Sequence, residues 1–256
     1  MTDATGLTIP ADYQARTDAL AGRTIVVTGA AAGIGRATAR AAARAGASVV
    51  LLDKQVRKLE SLYDEIEQDG SPEAAIYPMD LLGATPDDHT EMAQRLRESY
   101  GSLYAIVHNA ADLGQPAPLE HYDPQAWLRT IHINLNAPFL MVRSCLPLMK
   151  ATESARMVFV SDASGRIGKP YTGAYGASKS GLEGLMRTLA AELPDDSPVT
   201  AASIDPGPVH TMLRRKAYPA EKTQGLPSAE SAAHGLLYLL DPANVIAQGG
   251  AYTFSA

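Results

Sequence analysis

Tyr175 and Lys179 lie four residues apart in a stretch that reads Ala-Tyr-Gly-Ala-Ser-Lys-Ser over 174–180. On an α-helix, residues with this spacing share a face, so a phenol and an ammonium can project into one site. A neighbouring cation favours the phenolate, and we therefore expect Lys179 to lower the pKa of Tyr175 from its ordinary value of about 10. Such a tyrosine can donate and accept protons at a reacting oxygen. Taken alone, the spacing also fits an exposed tyrosine above a solvated lysine, so its meaning depends on the rest of the chain.

Three glycines, Gly29, Gly33 and Gly35, follow a short β-branched stretch and open an alanine-rich segment with helical periodicity. Glycine permits a tight turn and a close approach of the backbone to a ligand, and the N-terminus of the following helix attracts a pyrophosphate. In this strand–turn–helix context the pattern predicts a dinucleotide site that includes Ile34.

Asp53 closes the second predicted strand, 24 residues after Gly29. A carboxylate at this place can accept hydrogen bonds from a ribose 2′-hydroxyl and repels a 2′-phosphate. Residues 30–32 are all alanine and offer no cation to that phosphate. Both observations favour NAD as the cofactor.

The residues that could do chemistry must be positioned by alternating strands and helices. Apolar, β-branched stretches predict seven strands at 24–28, 48–52, 74–77, 103–107, 156–160, 199–204 and 250–254. Helical patterns lie at 34–45, 54–69, 87–100, 124–150, 174–193 and 228–240. We expect an α/β fold: a single-domain, Rossmann-like, doubly wound and mainly parallel seven-stranded sheet with helices on both faces. This dinucleotide-binding catalytic domain covers 23–256 and follows an N-terminal arm over 1–22.

The least regular segment, 212–227, contains two prolines and no clean periodicity. It is either a disordered connection or a lid over the substrate. The segment includes Arg214-Arg215-Lys216, which is either a solvated basic run or a site that captures an anionic substrate group.

Two further motifs complete the pattern, His-Asn-Ala-Ala at 108–111 and Pro-Gly-Pro-Val-His-Thr at 206–211. With the glycine turn and the Tyr175–Lys179 pair, in this order and spacing, they closely resemble the classical short-chain dehydrogenase/reductase family over nearly the whole chain. The resemblance implies a nicotinamide cofactor and hydride transfer between an alcohol and a carbonyl compound. It also implies a homodimer or homotetramer whose 124–150 and 174–193 helices pair across a twofold axis.

The resemblance assigns cofactor contacts to Gly29, Gly33, Ile34, Gly35, Asp53, Asp80, Leu81, Asn109, Ala110, Tyr175, Lys179, Pro206, Gly207, Val209 and Thr211. In the family, the aspartate matching Asp80 binds the adenine amino group beside the backbone of the next residue. The 206–211 segment matches the family segment that holds the nicotinamide carboxamide. Family members that use NADP often carry a basic residue where this chain has Lys54, so NADP stays possible. His108 and Ala111 depart from the family's Asn-Asn-Ala-Gly, and we expect His108 to be a packed strand residue.

Four residues form the predicted catalytic set. By resemblance, Tyr175 is the general acid and base, and Lys179 lowers its pKa and binds the nicotinamide ribose. Asn134 matches the family asparagine that holds a helix carbonyl and a water connecting the lysine to solvent. The fourth member, Asp162, stands where the family has a serine, thirteen residues before the tyrosine.

An ionised Asp162 cannot donate a hydrogen bond, repels an alkoxide and opposes deprotonation of Tyr175. Three interpretations are open. A protonated Asp162 donates like the serine, an ionised one accepts a hydrogen bond from a substrate hydroxyl or amine, or catalysis is weakened and cofactor binding remains. A loop shift could also bring the hydroxyl of Ser161 or Ser164 to the reacting oxygen.

Composition narrows the classes of function and partner. The 256 residues are 46% hydrophobic and 20% charged, which is ordinary for a globular enzyme. A formal net charge of −6 argues against a nucleic-acid surface or a polybasic membrane patch. No apolar run reaches the roughly 18 residues of a membrane span. The one cysteine, Cys145, suits a reducing cytoplasm, and the histidines lack the spacing of a metal site.

The sequence therefore predicts a cytoplasmic NAD(P)-dependent oxidoreductase that acts on a small alcohol or carbonyl substrate. The alternative is an NAD(H)-binding sensor or interaction protein with weakened catalysis, for which Asp162 and Ala111 are the arguments.

Overall fold

In the computed structural model, which describes residues 5–10 and 13–254, eight strands form one parallel sheet. The strands are β1 Thr5–Thr8, β2 Thr24–Thr28, β3 Ser48–Asp53, β4 Ala75–Pro78, β5 Ala105–His108, β6 Ala155–Val160, β7 Val199–Asp205 and β8 Gly250–Thr253. Their order across the sheet is β1-β8-β7-β6-β5-β2-β3-β4, and every neighbouring pair is parallel. The predicted doubly wound α/β fold is confirmed, whereas the predicted count of seven strands is wrong by one.

The additional strand, β1, lies inside the segment that was predicted to be an N-terminal arm. Leu7 pairs with Tyr252 and Thr8 with Thr253 on β8, so that β1 forms the edge of the sheet. The Thr-Gly-Leu-Thr sequence has no apolar run of its own, so its conformation depends on this pairing partner from the other end of the chain. Residues 1–4 and 11–12 of the predicted arm lie outside the described residues.

Helices flank the sheet between the strands. The α-helices are α1 Gly33–Arg44, α2 Val56–Gln68, α3 Pro86–Tyr100, α4 Pro124–Ile131, α5 Ala137–Met149, α6 Ala163–Arg166, α7 Gly173–Glu192, α8 Met212–Ala217 and α9 Ala229–Leu240. Apolar side chains of α1, α2 and α9 pack on one face of the sheet, and those of α3, α5 and α7 pack on the other. None of the helices in the described part of the chain is long and apolar enough to cross a membrane.

The predicted 124–150 helix is interrupted. A π-helical turn, His132–Asn136, separates α4 from α5. Pro138 follows this turn and has no amide N–H, so it cannot donate to the carbonyl of Asn134 in the regular i→i−4 pattern. Turns of this type occur often at functional sites. The helix start at Asp123 agrees with prediction, since its Oδ2 accepts a hydrogen bond of 2.8 Å from the Ala126 amide.

Candidate active site

A cavity of about 500 Å³ lies along the edge of the sheet where the parallel strands end. It is lined by residues that follow β2, β3, β5, β6 and β7, together with residues of α7 and α8. All the predicted site residues line it except Gly35 and Asn134, which are buried behind its wall. The topology thus brings distant sequence motifs into one site.

The glycine turn after β2 packs directly against the turn after β5. Asn109 Nδ2 donates to the Thr28 carbonyl at 2.9 Å, and Thr28 Oγ1 accepts hydrogen bonds of 3.0 Å from the amides of Asn109 and Ala110. Gly29 has φ +68°, and a Cβ there would lie 2.9 Å from the Ala110 Cα. A Cβ on Gly35 would overlap the Asn109 side chain. These glycines are required because the two turns meet where the strand order reverses, the place at which such sheets bind ligands.

Helix α1 begins in the cavity wall with its first amides available to a ligand. Ala32 at the N-cap provides no side-chain hydrogen bond, and the first turn contains no acidic residue. Thr211 crosses directly beside this terminus, because its Cγ2 lies 3.4 Å from the place of a Cβ on Gly33. An uncapped helix N-terminus of this length fits a pyrophosphate. The cavity therefore fits a dinucleotide between the glycine turn and the 206–211 segment.

Two acidic residues stand at the far end of this groove. Asp53 Oδ2 lies 3.4 Å from the Ala31 amide, so the carboxylate leans back over the glycine turn. The Lys54 ammonium lies 3.5 Å from Asp80 Oδ2, and both groups are exposed. The Leu81 side chain is buried in the core. The carboxylate of Asp53 therefore lies beside the glycine turn in the cavity wall, and Lys54 already has an acidic neighbour.

The 206–211 segment leads from the cavity wall beside the glycine turn into the irregular 212–227 segment. Gly207 has φ +70°, and its amide donates to Asp205 Oδ1 at 2.9 Å. Thr211 Oγ1 accepts a hydrogen bond of 3.1 Å from the Arg214 amide and so begins α8. Residues 212–214 and 216 line the cavity, so this part of the 212–227 segment forms its wall.

Tyr175 lies in the first turn of α7, with Lys179 one turn further on. Both side chains are buried, and the Lys179 Nζ lies 5.6 Å from the centroid of the Tyr175 ring. Burial raises the pKa of Tyr175 above its ordinary value, and the carboxylates of Asp162 and Asp205 raise it further. The expected net lowering of the Tyr175 pKa is therefore wrong for this structure, because burial, which disfavours the phenolate, is the largest effect on this pKa. Burial also lowers the pKa of Lys179 to about 8.

Asp162 immediately precedes the short helix α6 and lines the cavity. Its Oδ1 accepts a hydrogen bond of 2.7 Å from the Ser164 amide, which fixes the carboxylate on the turn. The charge of Asp162 raises the pKa of Tyr175, as expected. The hydroxyls of Ser161 and Ser164 are buried without a hydrogen-bond partner among the described residues. Bringing either hydroxyl to a substrate would require the turn to move.

Asn134 lies in the π-helical turn and is held by two neighbours. Its Oδ1 accepts from the Asp112 amide at 2.7 Å, and its Nδ2 donates to the Asp112 carbonyl and to Ser178 Oγ, both at 2.9 Å. Ser178 in turn donates to the Tyr175 carbonyl at 2.7 Å. The side-chain connection therefore runs from Asn134 to the backbone of the first turn of α7. The sequence analysis missed Ser178, although it stands between Tyr175 and Lys179 in the motif, and nothing in the sequence marked Asp112.

A buried ion pair behind the site was also missed. The Glu183 side chain is 1% exposed, and its Oε1 lies 3.0 Å from Arg166 Nε. Ser203 Oγ lies 3.0 and 2.9 Å from the two Glu183 oxygens, and Arg166 Nη2 donates to the Tyr252 carbonyl at 2.8 Å. These contacts tie the turn after Asp162 to α7, β7 and β8. Only the fold reveals them, since the partners are far apart in sequence.

His108 is a packed residue at the end of β5, as predicted. Its ring stacks on Phe159 with 4.7 Å between centroids, and burial lowers the pKa of His108 to about 3. Within residues 5–10 and 13–254, no group of three His, Cys, Asp or Glu side chains is placed to hold a metal ion.

The fold and the site together define a Rossmann-like α/β protein with a tyrosine–lysine pair at the carboxyl edge of its sheet. Comparison with known proteins specifies the family: the family model for short chain dehydrogenase matches residues 23–222. The uncharacterized oxidoreductase YciK of Escherichia coli (strain K12) is 37% identical over 214 residues, which is 84% of each chain. The chain therefore belongs to the classical short-chain dehydrogenase family of oxidoreductases.

Solved structures agree with this assignment. A short chain dehydrogenase from Pseudomonas syringae is 41% identical with a TM-score of 0.92, covering 94% of this chain and 98% of that one. A short chain dehydrogenase from Shigella flexneri 2a, complexed with NADP, is 34% identical with a TM-score of 0.89, covering 93% and 98% of the two chains.

Proposed function

We propose that the protein is an NAD(P)-dependent oxidoreductase that interconverts a small alcohol and a carbonyl compound, with Tyr175 as general acid and base. The position of Tyr175 carries this proposal. It lines the same cavity as the glycine turn, and its hydroxyl has no hydrogen-bond partner among the described residues. When bound, a nicotinamide supplies or accepts the hydride. Tyr175 gives a proton to the substrate oxygen during reduction and removes it during oxidation.

Lys179 and Asn134 support this proton transfer. With a pKa of about 8, Lys179 carries its charge at neutral pH and stabilises the phenolate that forms on Tyr175 during turnover. By its family match it also binds the nicotinamide ribose. Asn134 fixes the first turn of α7 through Ser178, so that the tyrosine keeps its position.

NAD is the proposed preferred cofactor. The Asp53 carboxylate suits a free 2′-hydroxyl and repels a 2′-phosphate, and the exposed Lys54 ammonium already lies beside the Asp80 carboxylate. The solved relative that contains NADP makes the comparison of both cofactors necessary. Each should therefore be assayed at matched concentrations.

The test compares the wild type with Tyr175→Phe in the oxidation of a panel of alcohols with NAD. Turnover is measured by the absorbance of the NADH that forms. Removing the hydroxyl should lower the rate by about 10²–10⁴-fold, because the proton has no acceptor. NADH binding, measured by fluorescence, and the circular dichroism spectrum should be unchanged. Undiminished turnover in Tyr175→Phe would show that another group transfers the proton.

A second candidate function, an NAD(H)-binding sensor with weak catalysis, is favoured by Asp162. Its carboxylate stands in place of the family's hydroxyl donor and raises the pKa of the proposed acid. This candidate predicts NADH binding without turnover across the panel. A gain of generic carbonyl reduction in Asp162→Ser would then identify the carboxylate as the cause.

We further propose a homodimer or homotetramer in which α4, α5 and α7 form the twofold interface. Leu128 on α4 and Phe139 on α5 are large exposed apolar residues in the single chain. Light scattering coupled to size exclusion should give a multiple of the monomer mass, and the double change Leu128→Lys, Phe139→Lys should reduce it. A monomeric wild type would exclude this assembly.

A further inference from the structure

The three basic residues at 214–216 have different environments. The Arg214 side chain is 23% exposed, and its Nε and Nη2 lie 2.8 and 2.6 Å from the two carboxylate oxygens of Glu221. Its guanidinium also lies 3.9 Å from the centroid of the Tyr218 ring. Arg215 and Lys216 are exposed and have no carboxylate within salt-bridge distance among the described residues. Arg214 is therefore held in place, whereas its neighbours resemble a solvated basic run.

The ion pair with Glu221 leaves much of the hydrogen-bonding capacity of Arg214 unused. A guanidinium has five N–H donors, and Glu221 accepts from only Nε and Nη2. The two Nη1 hydrogens and the second hydrogen on Nη2 have no partner among the described residues, so the end of the fork stays available. Arg214 lines the same cavity as Tyr175 and Asp162. Its charge also lowers the pKa of Tyr175, which agrees with a position near the catalytic end of that cavity.

We propose that Arg214 binds a carboxylate of the substrate, so that this oxidoreductase acts on hydroxy acids and the corresponding oxo acids. The proposal rests on the proposed oxidoreductase function and names its substrate class. A guanidinium fork matches a planar carboxylate with two parallel hydrogen bonds. Because Glu221 and Tyr218 already immobilise the fork, binding loses little further side-chain entropy.

Asp162 supports the same orientation of the substrate. Its carboxylate repels a second carboxylate at the catalytic end of the cavity, whereas a hydroxyl can donate a hydrogen bond to it. A hydroxy acid would therefore bind with its carboxylate toward Arg214 and its hydroxyl toward Tyr175. In oxidation, the phenolate form of Tyr175 would accept the hydroxyl proton and become a neutral phenol, the bound nicotinamide would supply the hydride acceptor for the carbinol hydrogen, and the C–O bond would become a carbonyl.

A purely structural role for Arg214, as a brace between α8 and Glu221, is the competing account. Two variants separate the accounts. Arg214→Lys keeps the charge and loses the fork, and Glu221→Gln keeps the side-chain shape and removes the competing negative charge. Arg215→Lys is the matched control, because its side chain is exposed on the same helix.

The experiment measures ligand binding without turnover, in Tyr175→Phe protein saturated with NADH. The probes are 2-oxo and 3-oxo acids of three to six carbons and their methyl esters. Their binding is measured by the change in NADH fluorescence. The acids should bind more tightly than the esters, and Arg214→Lys should weaken acid binding on the order of tenfold to a hundredfold without affecting the esters. Glu221→Gln should tighten acid binding, and Arg215→Lys should leave it unchanged.

If Arg214→Lys weakened the binding of acids and esters equally, the proposal would be overturned. Arg214 would then have only the structural role of a brace between α8 and Glu221. Weaker NADH binding in that variant would overturn it as well, because Arg214 would then hold the cofactor. If the wild type oxidised neutral alcohols but did not bind the acids, the proposed substrate class would be wrong. The oxidoreductase function would still stand. Arg214-dependent binding of acids, with no turnover by the wild type, would support the carboxylate site and overturn the oxidoreductase function.

Discussion

The Lys179 ammonium donates a hydrogen bond to the Val160 carbonyl, with 2.6 Å between nitrogen and oxygen. Val160 is the last residue of β6 and stands two residues before Asp162. The bond therefore joins the helix that carries Tyr175 to the strand that leads into the unusual aspartate. It also holds the ammonium of Lys179 in a buried position, where the side chain has almost no contact with water.

Lys179→Met should stabilise the fold while impairing the proposed activity. Replacing a buried ammonium removes a desolvation penalty, and after loss of the Val160 hydrogen bond we expect a net gain on the order of 1 kcal/mol at pH 7. The free energy of unfolding from urea titrations measures this gain. Lys54→Met, at an exposed lysine, is the control and should change stability little.

The same lysine predicts a pH dependence of stability. Its pKa is about 8 in the folded protein, below the ordinary value of 10.5. Between these values the unfolded chain binds more protons, so the contribution of Lys179 to stability rises as the pH increases from 8 to 10.5. The advantage of Lys179→Met over the wild type should therefore shrink across this window. An advantage that stays constant with pH would show that the ammonium is not the source.

Asp162→Asn should shift the pH profile of alcohol oxidation toward lower pH. In the proposed oxidation Tyr175 accepts a proton, and the Asp162 carboxylate raises the pKa of that residue. Asparagine retains the ability to cap the turn at Ser164 and removes only the charge. Comparing the acidic limb of kcat/KM in both proteins measures the effect. Asp162→Ala is the companion variant and should also lose about 1 kcal/mol of stability, because the cap is gone.

Asp53→Ala should change cofactor preference. The variant would lose both the proposed hydrogen bonds of Asp53 to the 2′-hydroxyl and its repulsion of a 2′-phosphate. The ratio of kcat/KM for NADP over NAD should rise on the order of tenfold to a hundredfold. Adding Lys54→Ala should reverse part of the rise if this lysine reaches the phosphate. An unchanged ratio would mean that Asp53 does not contact the ribose.

Arg166→Ala should destabilise the protein by about 3–5 kcal/mol, because it removes a partner of the buried Glu183 carboxylate. Arg187→Ala is the matched control. Its Nη1 lies 3.6 Å from the same carboxylate, but its side chain is 53% exposed, so we expect a loss below about 1 kcal/mol. Urea unfolding compares the two variants. Equal losses would show that Arg166 is not the principal partner.

Local patterns in the sequence were sufficient for much of the fold and the site. Seven of the eight strands and most helices are recognisable because hydrophobic periodicity is a local property. The glycine turn and Asn109 were recognisable by motif, and their contact through Thr28 follows from β2 and β5 being neighbours. Strand β1 was not recognisable, since its four residues depend on a partner strand at the other end of the chain.

The sequence by itself identified many of the groups that line the cavity, because a motif fixes residue types and their spacing. Only the tertiary structure decided their environment. It placed Tyr175 where burial raises its pKa, set Asp162 as the cap of a turn, and held Arg214 against Glu221 while Arg215 stayed exposed. The physical reason is that solvation and electrostatic partners are set by residues remote in sequence, which no local pattern specifies.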